Sequence, residues 1–212
     1  MNEVRSAREA HSFRIRNALL TACGDLMAEQ PIEAITINDI VQKAGVAKGS
    51  FYNHFPDKEA LAATVSSTTL AEVERAIEKS NENVTDPAYK VARGLCNYMQ
   101  LAVSNPRAAT IMLRGHDWVT SGDSQLNLAI KEDITEGVQS DRFESRCEDA
   151  GAIQVIGSAY FCMIRIIEQG LSVEQTVELS TRVFSLILCG FGLEEEEAVR
   201  IVSESAKAVV RG

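Results

Sequence analysis

The residues between positions 48 and 54 carry the clearest chemistry in this sequence. Five of these seven have a charged or hydrogen-bonding side chain, and they are Lys48, Ser50, Tyr52, Asn53 and His54. Gly49 has no side chain, so another molecule can approach the backbone closely at that point. Phe51 and Phe55 are one helical turn apart and can anchor the opposite side of the segment in a core. We therefore predict a short helix with one polar face that contacts a partner molecule.

A glycine turn and a preceding short helix are predicted to position this polar segment. Thr36 is expected to cap the preceding helix, and Asp39 can complete a capping box with it. Gly45 can adopt the positive φ of a tight turn. The second helix is expected over about residues 48–54, before Pro56. Two such helices can present the second one to a DNA major groove, which is about 12 Å wide.

The remainder of the chain is also predicted to be helical. Apolar residues recur at helical spacing nearly throughout, and the 212 residues include four prolines. Outside the two short helices we expect helices over about residues 12–29, 58–79, 87–104, 106–113, 148–169 and 172–189, one that Asp123 caps, and a last one from 194. The fold class is therefore all-α.

The charge of the chain is unevenly distributed. The formal net charge is −9, which alone would disfavour binding to a polyanion. However, residues 1–58 contain seven Lys/Arg and seven Asp/Glu, so the excess of negative charge lies entirely in residues 59–212. A neutral N-terminal part is compatible with DNA binding.

The cysteines predict neither a metal site nor a disulfide framework. There are five, they are widely spaced, and none forms a C-x-x-C pair. The N-terminus has no apolar signal-peptide region, and the apolar run over residues 153–167 is interrupted by Gln154, Ser158 and Arg165. We expect a cytoplasmic protein with reduced thiols, no membrane association, and no metal or cofactor.

Three motifs resemble the TetR family of one-component bacterial regulators. They are T-I-x-D-I from Thr36, A-G-V-x-K-G-x-F-Y-x-H-F from Ala44, and K-E-x-L from Lys58. The resemblance implies a three-helix DNA-binding domain over residues 13–73, with its helix-turn-helix at 36–55. Residues 74–212 would then form a helical bundle for dimerisation and ligand binding. One departure is Ala47, which stands where many relatives have Ser or Thr, so the cap of the second short helix is missing.

The resemblance also implies roles for individual residues. Thr36 and Lys58 are expected to touch phosphates, and Tyr52 and His54 to contact the DNA backbone or bases. Lys48, Ser50 and Asn53 are the candidates for contacts to the bases, and Gly49 is expected to allow the DNA to approach the backbone closely. Arg5 and Arg8 are candidates for a flexible arm in the minor groove. Plainer interpretations stay open: Tyr52 can simply cover the base of the fourth helix, and His54 can be a structural histidine.

Dimerisation and effector binding are assigned to the larger domain. The helices at 148–169 and 172–189 are apolar on more than one face, which favours a four-helix interface in a homodimer; burial within a monomer is the alternative. Such a dimer suits a palindromic operator. The resemblance implies a small hydrophobic or aromatic effector among the middle helices. The candidate contacts are Asn97, Tyr98, Met99, Met112, His116, Trp118, Leu126 and Ile130.

The favoured function is a repressor that its effector releases from double-stranded operator DNA. A regulator switched by oxidation of Cys96, Cys147 or Cys162 is an alternative, although thiols in apolar surroundings are usually inert. An enzyme is a third possibility, but three histidines, two of them near the DNA-contacting segments, offer no catalytic constellation. We predict no catalytic residues.

Overall fold

The fold is entirely helical in the part of the chain that the structure describes. It is a computed structural model that describes residues 2–115, 125–144 and 146–210. The described residues fall into two compact units, divided between Leu70 and Ala71, with the segment from Thr110 belonging to the first unit. This division lies inside one helix and close to the boundary at residue 73 that we expect from the sequence.

The first unit contains three helices and the start of a fourth. These are α1 (Asn2–Glu29), α2 (Ile37–Ala44), α3 (Lys48–Tyr52) and α4 (Lys58–Ser80), with a short 3-10 turn at Ile32–Ala34. Their apolar faces meet in one core that includes Leu19, Ile40, Phe51, Phe55 and Leu61. The core fixes the backs of α2 and α3, so their other faces are available to a partner.

Helix α1 is longer than the sequence predicts. We expect it from about residue 12, with Arg5 and Arg8 in a flexible arm, but the structure continues the helix to Asn2. The physical reason is that no proline or glycine precedes Gly24, and residues 7–10 include two alanines and a glutamate, which favour helix. Arg8 is exposed on this helix.

The second unit contains the C-terminal half of α4 and most of the remaining helices. They are α5 (Pro87–Ser104), α7 (Gln125–Gln139), α8 (Cys147–Gln169), α9 (Val173–Gly190) and α10 (Glu195–Val210). Helix α6 (Pro106–Arg114) belongs in part to each unit. Helix α5 is the centre of the second unit, because α7, α8, α9 and α10 all pack against it.

Local sequence signals explain the ends of these helices. Asp86 caps α5 through a 2.8 Å hydrogen bond from the Ala88 amide, and Pro87 occupies the first turn. Ser172 and Gln175 form a capping box at the start of α9. At the end of α7 the chain turns back so closely that a Cβ on Gly137 would lie 2.1 Å from a ring carbon of Phe143. Only glycine fits there.

Helix α8 is the most apolar helix of the described chain. Its segment Ala150–Gln169 is long and apolar enough to cross a membrane. Within this apolar stretch, 44% of the residues are buried inside the fold. Helix α8 packs against α5, α7 and α9, as the core helix of a folded domain does.

Candidate nucleic-acid interface and ligand cavity

The glycine turn between α2 and α3 forms as the sequence predicts. The Thr36 hydroxyl accepts a 3.2 Å hydrogen bond from the Asp39 amide, and the Asp39 carboxylate accepts a 2.9 Å bond from the Thr36 amide. Gly45 adopts φ 67°, and its amide donates to the carbonyls of Val41 and Gln42. The capping box and the left-handed turn therefore fix where α3 begins.

Helix α3 is anchored by its aromatic side and exposed on its polar side. Phe51 is fully buried and Phe55 is 5% exposed, with their ring centroids 6.2 Å apart. The Arg16 guanidinium of α1 lies 5.4 Å from the Phe55 ring centroid, which adds a cation–π contact to this anchor. Both phenylalanines are core residues, as the sequence predicts.

The opposite face presents the polar residues to solvent. Lys48, Gly49 and Asn53 are exposed, and Tyr52 is 54% exposed with its ring edge against Phe51. A Cβ on Gly49 would meet nothing within 4 Å, so the fold itself does not require glycine there. The open space is consistent with close approach by another molecule. Ser50 and His54 are half-buried at the edges of this face.

Three of the predicted DNA contacts line one open depression in the first unit. These are Thr36, Lys48 and Lys58. The Lys58 ammonium, however, is used within the protein: it lies 2.8 Å from the carbonyl oxygens of Ile32 and Ile35, and 3.3 Å from that of Glu33. A phosphate contact would require Lys58 to release these carbonyls. Helix α3 has no side-chain cap at Ala47, as we expect from this departure from the family pattern.

The second unit contains a cavity of about 120 Å³. Its walls come from α4, α5, α7 and α8, and most are apolar, with Ile77, Val91, Leu95, Ile130 and Ile156 among them. Charged residues line it as well: Glu74, Glu78, Lys90 and Asp133. The cavity thus combines an apolar volume with several carboxylates.

Comparison with known proteins identifies the family. The profile described as bacterial regulatory proteins, tetR family, matches residues 19–65. A second profile, described as the tetracyclin repressor-like C-terminal domain, matches residues 86–204, which is more than half of the chain. The chain belongs to the TetR family. It is therefore a DNA-binding transcriptional regulator of the helix-turn-helix type, and the predicted fold class is confirmed.

Three individual relatives share between 19% and 29% sequence identity with this chain. The chain is 29% identical over 69 residues to the HTH-type transcriptional regulator EthR of Mycobacterium tuberculosis, and this alignment covers 32% of each protein. The crystal structure of RolR in complex with resorcinol matches with a TM-score of 0.69 and 21% identity, covering 92% of this chain and 96% of that one. The transcriptional regulator FadR of Bacillus subtilis, in complex with stearoyl-CoA, matches with a TM-score of 0.62 and 19% identity, covering 82% and 97%. These structures share the TetR-family fold.

The cavity brings together two of the predicted effector contacts. Tyr98 and Ile130 line it. Asn97 does not: its amide donates to the Ser80 hydroxyl at 2.9 Å and to the Arg93 carbonyl at 2.8 Å. Met99 is fully buried without lining the cavity, and Met112 is buried in the first unit. His116 and Trp118 lie outside the described residues, as does the side chain of Leu126.

The sequence does not predict the charged residues that line the cavity. Glu74 and Glu78 are one turn apart on α4, and Asp133 lies between Ile130 and Ile134 on α7. A like-charge pair four residues apart and a carboxylate among apolar positions are weak signals in a sequence, because both are common on solvated helices. These carboxylates can be recognised as cavity residues only from the packing of α4 and α7 around the cavity.

Proposed function

We propose that this TetR-family protein is a homodimeric repressor that binds a palindromic operator through α3 and leaves it when a small molecule occupies the cavity. The observation that carries the proposal is the two-sided character of α3. Its buried phenylalanines fix the helix while Lys48, Tyr52 and Asn53 remain exposed. This is the arrangement that a recognition helix requires in a major groove.

The case for a homodimer rests on an apolar surface of α8 and α9. Ile153, Gly157 and Phe161 follow one another at four-residue spacing on α8, and Ile153 is 77% and Phe161 72% exposed. Leu186 of α9 is 70% exposed. Surface depressions formed by these helices are also lined by Leu179 and Val183. Because monomeric proteins rarely expose contiguous apolar patches of this kind, we infer that α8 and α9 pair with their copies about a two-fold axis.

The proposed release mechanism involves α4. This helix begins at Lys58 in the DNA-binding unit, and its later residues Glu74 and Ile77 form part of the cavity wall. A ligand that favours a different position of α4 would shift the population of dimers away from the spacing of about 34–36 Å that two successive half-sites need. RolR in complex with resorcinol and FadR in complex with stearoyl-CoA support a small-molecule effector for this chain.

Regulation by cysteine oxidation is less favoured by the structure. Cys96 and Cys162 are buried, and burial raises the pKa of Cys96 to about 12 and that of Cys162 to about 11. Burial is also the main reason why the pKa of Cys147 is raised. The thiolate is the reactive form, so these three cysteines are poorly suited to sense peroxide.

Selection of bound duplexes from a random DNA library tests the proposed function. The purified full-length protein is expected to enrich two inverted half-sites, and footprinting should show protection centred on both. Affinity for the selected duplex should fall as the salt concentration rises, because binding releases counterions. A preparation that is folded and enriches no duplex at low ionic strength would contradict the proposal.

A further inference from the structure

The cavity of the second unit has the size of a single ring. Its volume is about 120 Å³, and an apolar protein cavity of about 150 Å³ holds benzene. Large apolar side chains from α4, α5, α7 and α8 line it, including Ile77, Leu95, Ile130 and Ile156. A ligand that fills the cavity is therefore a one-ring compound with a short substituent.

The charge of the walls restricts the substituent. Glu74, Glu78 and Asp133 contribute three carboxylates, and Lys90 is the one cation among the described lining residues. The Lys90 ammonium is already paired, since it lies 2.5 Å from a carboxylate oxygen of Glu136, which does not line the cavity. Among the described lining residues the three carboxylates therefore outnumber the single ammonium, which Glu136 shares.

This excess is costly mainly at Glu74 and Asp133, which are partly buried beside apolar walls, whereas Glu78 is exposed. Burial raises the pKa of Asp133 to about 6, Lys90 opposes the shift, and Glu136 and Glu132 add to it. Burial likewise raises the pKa of Glu74, and the neighbouring Glu78 contributes. Carboxylates in such a setting bind a cation favourably, because it compensates both the lost hydration and the mutual repulsion. An anionic ligand would meet the same repulsion, and a neutral one would leave it in place.

We propose that the cavity binds a small one-ring organic cation of the aralkylamine class, whose ammonium pairs with the lining carboxylates while its ring packs on the apolar walls. The proposal rests on the function inferred above, in which this cavity is the effector site. It narrows the class from any hydrophobic or aromatic compound to one that carries a positive charge.

Three probes of nearly equal shape and different charge test the proposal. They are 2-phenylethylamine, 2-phenylethanol and phenylacetate, and their binding to the full-length protein is measured by titration calorimetry. We expect the amine to bind more tightly than either of the others by about tenfold or more, the ratio that one charge-assisted hydrogen bond provides. Benzylamine and 3-phenylpropylamine extend the series, so that a difference in chain length does not hide binding.

Substitutions in the cavity wall provide the second part of the test. Asp133→Asn should weaken amine binding about tenfold and leave 2-phenylethanol unchanged. Glu74→Gln should also weaken amine binding, and it replaces Asp133→Asn in the test if that variant folds poorly. Asp141→Asn is the matched control, because Asp141 is exposed, lies beyond the end of α7 and does not line the cavity.

The amine affinity should also depend on pH. Lys90 of α5, Glu74 and Glu78 of α4, and Glu132 and Glu136 of α7 are the charged groups around Asp133. The amine stays protonated throughout, so its affinity should rise as the pH increases through about 6 and Asp133 ionises. The affinity of the alcohol should change little over the same range.

The proposal is overturned if none of the three amines binds, if the alcohol or the acid binds as tightly as the amine, or if neither Asp133→Asn nor Glu74→Gln weakens the amine. DNA binding is measured separately on the same preparations. A protein that binds its selected duplex but no amine contradicts this inference alone, whereas one that binds the amine but no duplex contradicts the proposed function.

Discussion

The Lys58 ammonium donates to the carbonyl oxygen of Ile35 at 2.8 Å, which ties the start of α4 to the residue that precedes the Thr36 cap. It also donates to the Ile32 carbonyl at 2.8 Å. One side chain thus contacts carbonyls at both ends of the 3-10 turn, although the Ile32 carbonyl also accepts a 3.1 Å hydrogen bond from the Ile35 amide. In this position Lys58 contributes to the stability of the DNA-binding unit.

Lys58→Met should therefore reduce the free energy of unfolding by about 1–3 kcal/mol, because carbonyls in a partly buried position lose a charged donor. Urea denaturation measures the change. Lys79→Met is the matched control, since Lys79 is exposed in the last turn of the same helix, and it should change stability by less than about 0.5 kcal/mol. Normal stability combined with weaker operator binding would instead assign Lys58 to a DNA phosphate.

Arg142 holds together three parts of the second unit. Its guanidinium donates to both carboxylate oxygens of Asp86, at 2.9 and 3.0 Å, and to Glu197 at 2.9 Å. Because these side chains are partly exposed, we expect Arg142→Ala to lower the free energy of unfolding by about 1–3 kcal/mol, below the value for a fully buried pair. Arg146→Ala is the control, since Arg146 is 69% exposed in its pair with Glu144. Equal stability of the two variants would contradict the role of Arg142.

The same cluster predicts a pH dependence. Burial alone would raise the pKa of Asp86, but hydrogen bonds from Arg142 and the Ala88 amide outweigh it and hold the pKa below its usual value. A carboxyl group with a lower pKa in the folded than in the unfolded chain stabilises the protein above its unfolded pKa of about 3.9. This contribution is lost as the pH falls through the folded pKa. The stability difference between wild type and Arg142→Ala should thus narrow from neutral pH towards about pH 3. A difference that stays constant in urea denaturation at both pH values would argue against the Arg142–Asp86 link.

The cysteines should be slow to react in the folded protein. Burial raises the pKa of Cys23 and Cys96 to about 12, so both remain thiols at neutral pH. Reaction with a disulfide reagent should modify Cys23, Cys96 and Cys162 much faster after denaturation than before, as peptide mass spectrometry can show. Peroxide should leave operator binding intact. Release of DNA by peroxide that a Cys→Ser variant abolishes would support the oxidation-responsive alternative.

The proposed dimer depends on the apolar face of α8. Phe161→Asp should raise the dimer dissociation constant by roughly 30-fold or more, as expected for a central aromatic contact. Sedimentation equilibrium measures it. Phe13→Asp is a close control, because Phe13 is 63% exposed on α1 and does not belong to this face. If both variants remain equally dimeric, or if the wild type is a monomer, the pairing of α8 and α9 is wrong.

The sequence was most informative where local rules determine the structure. Thr36, Asp39 and Gly45 predict a capping box and a left-handed turn, and Phe51 and Phe55 predict a buried side for α3, because each rests on neighbours within one or two turns. The sequence predicts the start of α1 ten residues too late, because no proline or glycine marks that end. The sequence predicts the cavity lining only in part: Tyr98 and Ile130 lie on it, but Asn97 is hydrogen-bonded to Ser80 and Arg93, and Met99 is buried away from it. Which buried residue faces a cavity depends on how helices pack, and helical periodicity alone does not determine that.

The most direct test of the recognition role of α3 is the affinity of single-residue variants for the selected duplex, measured by fluorescence anisotropy at fixed salt. Lys48→Ala and Tyr52→Ala should each weaken binding by roughly 5- to 150-fold, or about 1–3 kcal/mol, with the dimer and its stability unchanged. Lys131→Ala, an exposed lysine of α7 in the other unit, should bind as wild type does. Wild-type affinity in both the Lys48 and the Tyr52 variants would contradict the assignment of α3 as the DNA-reading helix.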